Sequence, residues 1–501
     1  MSEAAATPAR LRAAGERARC LLMSLNTCRD PYAVFPLGLA HVDAALRQAG
    51  FATQWLDWQF EGEALASRLA GWNPDFVGIS LRNIDDVLIQ RQETFFDGLA
   101  GICQVIRRHS TARIVLGGSG FSIFPVELLS LSGAEYGLQG EAEETLPRLL
   151  ELLLEGQDVA HLSGLVYRRG AEVVCNPPAH GAALERLPQP VRPAEEVRWY
   201  LEHSSMLNVQ TQRGCAFRCC YCTYPLIEGR ALRRRPAEEV AEEVAALQAA
   251  GARYFFVVDS VFNGAPEHAA AVCEALVRRR LQVPWGCFLR PAGLTAELTR
   301  LMARAGLRHV EFGTDSFSDT VLAEYGKHFD FGEVLEASRR VHEAGVDACH
   351  FLICGGPGET EETLEEGFAN SQHLPAGVVL PVIGMRIYPR TPLHERAVRE
   401  GLVERDTPLL APRYYVAPGL SPERISGRLA EFARRSPRWI TREAPPEFLA
   451  LVERLRRRGA VGPLWSYYSW LSRFEAAAKS MGAVPPANAP PSVDIERGDK
   501  I

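Results

Sequence analysis

Several features that assign a protein to a broad class are absent from this sequence. No apolar run approaches the roughly 18 residues that a membrane helix needs. The first twenty residues hold several arginines but no apolar core of signal-peptide length. The net charge of −6 leaves no basic footprint of the kind that binds nucleic acid. These absences predict a cytoplasmic protein that is not integral to a membrane and has no nucleic-acid partner.

Structural disulfides are a second feature that we do not expect, although the chain has 12 cysteines. Thiols stay reduced in the cytosol, and clustered cysteines there more often bind metal or carry out chemistry. Eight cysteines occur singly in mostly apolar contexts, where a free cysteine usually behaves as a small buried hydrophobe. These are Cys20, Cys28, Cys103, Cys175, Cys273, Cys287, Cys349 and Cys354. The other four lie within eight positions of one stretch, TQRGCAFRCCYCTYP (211–225).

The length of 501 residues is too great for one hydrophobic core and predicts two or three domains. In residues 17–155, short apolar strands alternate with helical patterns, which is typical of a doubly wound, Rossmann-like parallel sheet. Residues 156–205 read as a connector with a hairpin turning at Arg169–Gly170, followed by the proline-rich LPQPVRP. No GxGxxG fingerprint of a dinucleotide site is present.

Ligands of a doubly wound sheet bind outside the carboxyl ends of its strands. Two such ends carry SLRNIDD (80–86) and GGSGFSIFP (117–125), and a third segment, YGLQGEAEETL (136–146), precedes the last helix. Glycines at these ends would let the backbone approach a bulky ligand closely, although ordinary turns would look the same. The candidate binding residues here are Ser80, Leu81, Arg82, Asn83, Gly117, Gly118, Ser119, Gly120, Gly140 and Glu141.

The cysteine stretch has the spacing CxxxCxxC at Cys215, Cys219 and Cys222, with Tyr221 before the last cysteine. A zinc site would need a fourth ligand, and Cys220 adjoins Cys219 too closely to supply it comfortably. Iron–sulfur cubanes usually take four cysteines, so three thiolates would leave one iron open, as catalysis at a metal requires. These three cysteines are therefore candidate ligands of an iron–sulfur cluster that keeps one iron open.

After the cysteines, six strand-and-helix units follow in residues 206–400 and predict a partial (β/α)6 barrel with its site at the strand carboxyl ends. Alternation along VEFGTDS places Glu311, Gly313 and Asp315 on one face of a strand. Residues 401–485 read as helical, with WSYYSWLSRF (465–474) either packing on the barrel or capping an apolar pocket. Residues 486–501 have the composition of a disordered tail.

The CxxxCxφC loop, the LGG strand end and the GEAE segment resemble the cobalamin-dependent radical SAM family, in which a cobalamin-binding domain precedes the radical SAM barrel. GEAE stands where that family often has GEGE, and the DxHxxG motif that supplies a histidine to cobalt is absent. The resemblance thus implies cobalamin without a histidine ligand, its lower face near Ser80–Asn83. It implies a 4Fe-4S cluster held by Cys215, Cys219 and Cys222, with S-adenosyl-L-methionine (SAM) as the third cofactor.

By the same resemblance, SAM contacts are expected from residues at the cysteine loop and at the barrel strand ends. Asp259 and Ser260 would meet its amino group, the Glu311 strand its ribose, LICGGPGET (352–360) its adenine, and an arginine its carboxylate. The full set is Tyr221, Asp259, Ser260, Arg290, Glu311, Gly313, Asp315, Ser316 and Arg386. RALRRRP (230–236) reads as a solvated helix entry, with an anion contact as the alternative.

The function that the resemblance implies is reductive cleavage of SAM to a 5′-deoxyadenosyl radical and methyl transfer from methylcobalamin to an unactivated carbon. The substrate would be a small or lipid-like molecule, and the electron donor flavodoxin or ferredoxin. Cyclisation, rearrangement or oxidation with the same cofactors remains an alternative. A non-catalytic cobalamin or iron–sulfur sensor is disfavoured because no signalling module is visible, and a tRNA methylthiotransferase because a further N-terminal cysteine trio is missing.

Overall fold

The computed structural model describes residues 17–29, 31–178, 180–181 and 183–468. The predicted disordered tail (486–501) and the end of the aromatic stretch 465–474 lie outside these residues. No helix among the described residues combines the length and apolar character that crossing a bilayer would require.

Seventeen strands are assigned within the described residues. They are β1 (Arg19–Ser24), β2 (Ala52–Asp57), β3 (Phe76–Ser80), β4 (Arg113–Gly117), β5 (Tyr136–Leu138), β6 (Leu165–Arg169), β7 (Glu172–Cys175), β8 (Leu207–Val209), β9 (Gln212–Arg213), β10 (Arg233–Arg234), β11 (Phe255–Val257), β12 (Trp285–Leu289), β13 (Leu307–Asp315), β14 (Asp347–Cys354), β15 (Val378–Ile383), β16 (Met385–Arg386) and β17 (Tyr414–Tyr415).

Eighteen α-helices join these strands within the same residues. They are α1 (Leu37–Gln48), α2 (Trp58–Glu61), α3 (Leu65–Trp72), α4 (Leu99–His109), α5 (Ser119–Ile123), α6 (Pro125–Ser132), α7 (Thr145–Glu155), α8 (Ala194–Ser204), α9 (Tyr224–Ile227), α10 (Ala237–Ala249), α11 (Pro266–Arg278), α12 (Ala296–Arg304), α13 (Asp319–Glu324), α14 (Phe331–Glu343), α15 (Glu361–Ser371), α16 (Pro392–Arg399), α17 (Pro422–Arg435) and α18 (Pro446–Arg457).

The first sheet has the order β2-β1-β3-β4-β5-β6-β7, and its first five strands are parallel. Alternate residues of β1 enter separate cores: Leu22 packs with Leu149 of α7, and Leu21 packs in a second core with Leu99 of α4. Both faces are therefore covered, which explains why the strand is apolar throughout. The doubly wound prediction is confirmed.

The hairpin predicted at Arg169–Gly170 is present as β6 and β7. Its strand β6 pairs antiparallel with β5, so this part of the predicted connector extends the first sheet instead of standing apart from it. A return strand beside the last parallel strand covers an edge that would otherwise be open.

The second sheet has the order β15-β14-β13-β12-β11-β8, with all neighbours parallel and in sequence order. This is the predicted partial barrel of six strands. Along β13, Val310 and Phe312 pack in the main hydrophobic core, and Glu311 lies on the opposite side of the strand. Polar side chains of β13 are thereby directed to the barrel interior.

The region after the barrel is helical in its described part, as predicted. Helix α17 buries Ile425 and Leu429 in a core that includes Phe368 and Trp439. The short pair β16–β17 carries Arg386 and leads the chain back toward the first domain.

Side chains from the barrel half contact the first domain at several places. Arg213 Nη2 lies 2.6 Å from Glu143 Oε1, and Arg386 Nε lies 2.8 Å from Asp85 Oδ2. Arg390 Nη2 donates to the backbone oxygen of Ser122 at 2.8 Å. These buried or half-buried contacts hold the carboxyl edge of the first sheet against the barrel.

Candidate functional site

The cysteine loop (residues 214–223) leaves strand β9 and is fixed from two sides. Cys215 N donates to Gly229 O at 3.1 Å, and Cys220 N donates to Tyr325 O at 2.9 Å. Gly214 has φ +94°, and a Cβ there would run into the backbone oxygen of Ala231. Only glycine meets both conditions, so the turn into the loop depends on it.

Within the loop the four cysteines do not share one environment. Cys222 N donates to Cys219 O at 3.3 Å, which closes a turn around the pair. Burial raises the pKa of Cys222 to about 12, and the neighbouring Cys219 and Cys215 thiols add to this rise. Cys220 instead packs in a hydrophobic core, with its Sγ 4.0 Å from Met385 Sδ.

The donor set suits an iron–sulfur cluster of the predicted kind. Cys215, Cys219 and Cys222 belong to one loop that the Cys222 N to Cys219 O hydrogen bond closes, whereas Cys220 packs against apolar side chains. Among the described residues, no three His, Cys, Asp or Glu side chains are placed so that they could hold a metal ion as they stand. The loop offers soft thiolate ligands of the type that such clusters take.

Tyr221, the aromatic residue of the cysteine motif, belongs to a buried polar triad. Its hydroxyl donates to Asp315 Oδ2, and Lys327 Nζ lies 2.5 Å from the same oxygen. Lys327 Nζ also lies 3.4 Å from the Tyr221 hydroxyl. Asp315, which was predicted to contact SAM, therefore binds Tyr221 and Lys327 in this structure. Its backbone is in the left-handed region, with φ +67°.

Asp259, predicted to meet the SAM amino group, is fully buried and directed to the backbone behind the cysteine loop. Its carboxylate accepts from Thr211 N and Thr211 Oγ1, both at 2.6 Å, and from Gln212 N at 3.2 Å. Burial raises its pKa to about 7 despite these donors. Ser260 Oγ donates to Gly214 O at 2.9 Å, so both residues support the loop in this structure.

The two arginines predicted for the SAM carboxylate differ in their surroundings. Arg386 is buried and paired with Asp85, with further bonds to the oxygens of Ile387 and Leu409, so its guanidinium is already used. Arg290 donates to the oxygens of Lys327 and His328 and lies 4.1 Å from the centre of the Phe217 ring. It remains half-accessible at the strand end.

Glu311 lies deeper in the barrel than predicted for a ribose contact. Its Oε1 accepts from Trp465 Nε1 at 2.8 Å, and burial raises its pKa to about 7. Gly313, two residues nearer the strand end, is accessible, and a Cβ there would meet only Lys327 Nζ at 4.0 Å. Ser316 Oγ accepts from Ser318 N at 3.1 Å and shapes the following turn.

A cavity of about 460 Å³ separates the carboxyl edge of the first sheet from the barrel. Most of the predicted cobalamin residues line it: Ser80, Arg82, Asn83, Gly117, Gly118, Ser119, Gly140 and Glu141. Leu81 and Gly120 are buried behind it. The opposite wall includes Thr223 and Tyr224, which directly follow the third motif cysteine. We refer to this space as the interdomain cavity.

The glycines of the first sheet act in a different way from that expected. A Cβ on Gly118, at φ +96°, would lie 2.5 Å from Leu81 O, and one on Gly120 would lie 2.8 Å from Ile84 Cδ1. They allow loop 80–84 to pack on helix α5, whereas Gly117 has no neighbour closer than 3.8 Å. Glu141 lies near Arg213 and Arg233, which outweigh burial and hold its pKa below the usual range.

Arg82 is the cation that these elements present to the interdomain cavity. The Arg82 side chain is exposed to the cavity. The protein around the cavity partly removes its guanidinium from water, and this desolvation lowers the pKa of Arg82. No carboxylate of the described residues lies within ion-pair distance of its guanidinium. A cavity wall of small and apolar residues that also presents the Arg82 cation fits a large cofactor with polar side groups.

Three functional features were not predicted from the sequence: Lys327, the Arg213–Glu143 pair and the Trp465–Glu311 hydrogen bond. Lys327 could have been noticed because the sequence has only three lysines, at 327, 479 and 500. The other two features join segments 70 and 154 residues apart, and no local pattern marks them.

Two family models match segments of this chain. Residues 209–368 match the radical SAM superfamily model, and residues 27–150 match the B12 binding domain model. The first match begins just before the cysteine loop, and the second covers the sheet edge at the interdomain cavity.

The similar proteins include methyltransferases. Tryptophan 2-C-methyltransferase of Streptomyces laurentii is 27% identical over 436 residues, which are 74% of this chain and 72% of the relative. The hopanoid C-3 methylase of Methylococcus capsulatus is 25% identical over 332 residues, 64% of this chain and 60% of the relative. TsrM, a radical SAM methyltransferase from Kitasatospora setae solved with tryptophan and a SAM analogue, is 25% identical with a TM-score of 0.79, covering 93% of this chain and all of that one.

Proposed function

We propose that this chain, a member of the radical SAM superfamily that also carries a B12 binding domain, is a cobalamin-dependent C-methyltransferase. Its substrate is a small-molecule or lipid-like compound methylated at an unactivated carbon. The observation that carries the proposal is the interdomain cavity, where the edge of the B12 domain faces residues that directly follow the cysteine loop. Methyl transfer needs the two cofactors to reach one substrate, and this arrangement brings their domains together.

The cluster would be held by Cys215, Cys219 and Cys222, with Cys220 excluded by its packing beside Met385. When bound, the cluster supplies the electron that cleaves SAM to a 5′-deoxyadenosyl radical, and cobalamin supplies the methyl group. The chain itself orients these groups and excludes water. Gly313 and Arg290, the accessible members of the predicted SAM set at the strand ends, remain the best candidates for direct contact.

Cobalamin would lie against the edge formed by Ser80, Arg82, Asn83 and Gly117. None of the residues lining the interdomain cavity is a histidine, in keeping with the missing DxHxxG motif. We therefore propose that the protein gives cobalt no histidine ligand. Arg82, as an unpaired cation, would meet the polar rim or the lower face of the corrin.

The substrate would bind in the interdomain cavity, between the edge of the B12 domain and the residues that follow the cysteine loop. A small-molecule substrate is supported by the similar protein TsrM, which was solved with tryptophan bound. The electron would come from flavodoxin or ferredoxin. Exposed arginines beside the cysteine loop, Arg218 and Arg230, suit an acidic carrier of this kind.

The test is an anaerobic reconstitution with iron, sulfide and hydroxocobalamin, followed by SAM, a reductant and product analysis by mass spectrometry. We expect bound corrinoid, 5′-deoxyadenosine and S-adenosylhomocysteine. 5′-Deoxyadenosine without S-adenosylhomocysteine would favour cyclisation, rearrangement or oxidation, and no bound corrinoid would overturn the proposal.

Cysteine variants provide the matched control. Cys219→Ala should lose bound iron and 5′-deoxyadenosine formation, whereas the adjacent Cys220→Ala should keep both. If Cys220→Ala alone lost its iron, the assignment of ligands would be wrong.

A further inference from the structure

Lys327 is the only lysine among the described residues, since Lys479 and Lys500 lie outside them. In a chain whose surface cations are arginines, this one lysine is buried, with 7% of its side chain accessible. Lysine carries a compact charge that reaches a confined site where the broad guanidinium fork of arginine fits less readily. Its position therefore calls for a physical explanation.

The backbone around Lys327 packs directly against the cysteine loop. Cys220 N donates to Tyr325 O at 2.9 Å, and a Cβ on Gly326 would meet Arg218 O at 2.8 Å and Cys219 Cα at 3.8 Å. The Tyr325 hydroxyl also donates to Ile353 O at 2.7 Å and anchors this segment to the end of β14. Lys327 is thus held beneath the loop by rigid elements.

The Lys327 ammonium group has two partners, a carboxylate and a hydroxyl group. Asp315 Oδ2 lies 2.5 Å from Nζ, and the Tyr221 hydroxyl lies 3.4 Å from it. Tyr221 in turn donates to Asp315, so the loop aromatic closes the triad. Removing one partner of such a buried pair leaves the other charge uncompensated.

Lys327 lies beside the cysteine loop by two contacts. Its Nζ is 3.4 Å from the hydroxyl of the loop residue Tyr221, and the preceding residue, Gly326, packs against Cys219. Arg290 is a second cation at the loop, since it donates to Lys327 O and lies 4.1 Å from the centre of the Phe217 ring. A cation held beside the loop favours the more negative form of a group bound there.

We propose that Lys327 is a positioning residue that raises the reduction potential of the iron–sulfur cluster on Cys215, Cys219 and Cys222. This inference rests on the proposed function, because it requires the cluster. Reduction adds one electron from the external donor to the cluster, no bond breaks, and the extra negative charge is stabilised by the nearby ammonium. Tyr221 and Asp315 fix that ammonium in place.

The test is an anaerobic redox titration of reconstituted protein without SAM, followed by electron paramagnetic resonance of the reduced cluster. At a fixed potential, Lys327→Gln should lower the ratio of reduced to oxidised cluster roughly tenfold, which is about 59 mV for one electron. Lys327→Arg should restore much of the ratio. Asp315→Asn, which keeps the left-handed backbone accessible, should shift the ratio in the opposite direction.

The opposite signs separate an electrostatic role from a merely structural one. Equal potentials, or shifts of the same sign in Lys327→Gln and Asp315→Asn, would overturn the proposal. Iron and sulfide content is measured first. If Lys327→Gln binds no cluster, the test depends on Asp315→Asn alone. An unchanged or lowered ratio of reduced to oxidised cluster in that variant would refute the inference. Wild-type protein that binds no cluster would refute the proposed function instead, and Arg278→Gln, on an exposed ion pair, serves as the neutral control.

Discussion

The two sheet edges that face the interdomain cavity differ in the types of residue they present. The edge of the B12 domain presents small residues such as Ser80, Gly117 and Ser119 among apolar side chains, and Arg82 has no carboxylate partner within the described part of the chain. The barrel mouth is charged, but its charges are mostly paired, as in Asp315 with Lys327. A large cofactor can be bound over a wide surface of small and apolar residues. Chemistry on a small co-substrate instead needs charged groups that are already held in position before the reaction.

The contrast extends to how each edge is held. The B12 edge depends on glycines that let loop 80–84 pack closely, so its shape is set by van der Waals contact. The barrel side depends on ion pairs, several of which cross to the first domain. The two edges should therefore respond to different substitutions, and four variants test this from the largest effect to the smallest.

Arg213→Met should produce the largest loss of stability. Arg213 is buried between Glu143 at 2.6 Å and Glu141 at 3.5 Å. Its removal leaves the buried Glu143 carboxylate without its cation, whereas Glu141 keeps Arg233. Losing one partner of a buried pair costs about 3–5 kcal/mol. Urea unfolding should show this decrease, whereas Arg278→Met, from an exposed pair, should cost less than about 1 kcal/mol. Equal effects would show that the interdomain pairs do not differ from surface pairs.

Gly118→Ala should damage the B12 edge alone. The residue has φ +96°, and the new Cβ would lie 2.5 Å from Leu81 O, so loop 80–84 must move. We expect a cost of about 3 kcal/mol and loss of corrinoid binding, with iron content unchanged. Gly101→Ala is the control, because no atom lies within 4 Å of its added Cβ and it sits in a helix. Corrinoid binding at wild-type affinity in Gly118→Ala would contradict the assignment of this edge.

The difference between the edges also explains what could be predicted from the sequence. Strand ends of a parallel sheet meet by topology, so Ser80 and Gly117 could be placed at one edge from the strand pattern alone. Charged residues are assigned by their partners, and those of Arg386 and Glu311 lie 301 and 154 residues away. Sequence reasoning recognised the barrel and the cysteine loop, but it could not tell which carboxylates were already engaged.

Glu311→Gln tests a buried carboxyl group of the barrel that no cation pairs among the residues the structure describes. Burial raises the Glu311 pKa to about 7, from 4.5 for an ordinary glutamate. Its stabilising contribution is complete below about pH 4.5 and is lost as the pH rises through 7, because the folded state must then bury the ionised form. Relative to wild type, Glu311→Gln should gain roughly 2 kcal/mol between pH 5 and pH 8 in thermal unfolding.

The control for this comparison is Glu274→Gln, at an exposed glutamate on α11. Its difference from wild type should stay nearly constant over the same pH range. If the stability difference between Glu311→Gln and wild type were also independent of pH, Glu311 would ionise as easily in the folded protein as in the unfolded chain.

Trp465→Phe and Trp439→Phe provide the finest comparison, because each indole is buried and donates one hydrogen bond. Trp465 donates to the Glu311 carboxylate at 2.8 Å, and Trp439 donates to the neutral Ser371 hydroxyl at 3.2 Å. Hydrogen bonds to charged acceptors are worth about 1 kcal/mol more than neutral ones. The cost of Trp465→Phe should therefore increase by about 1 kcal/mol as Glu311 ionises between pH 6 and pH 8. Trp439→Phe should show a cost independent of pH, and parallel pH profiles for the two variants would place the ionisation of Glu311 outside this range.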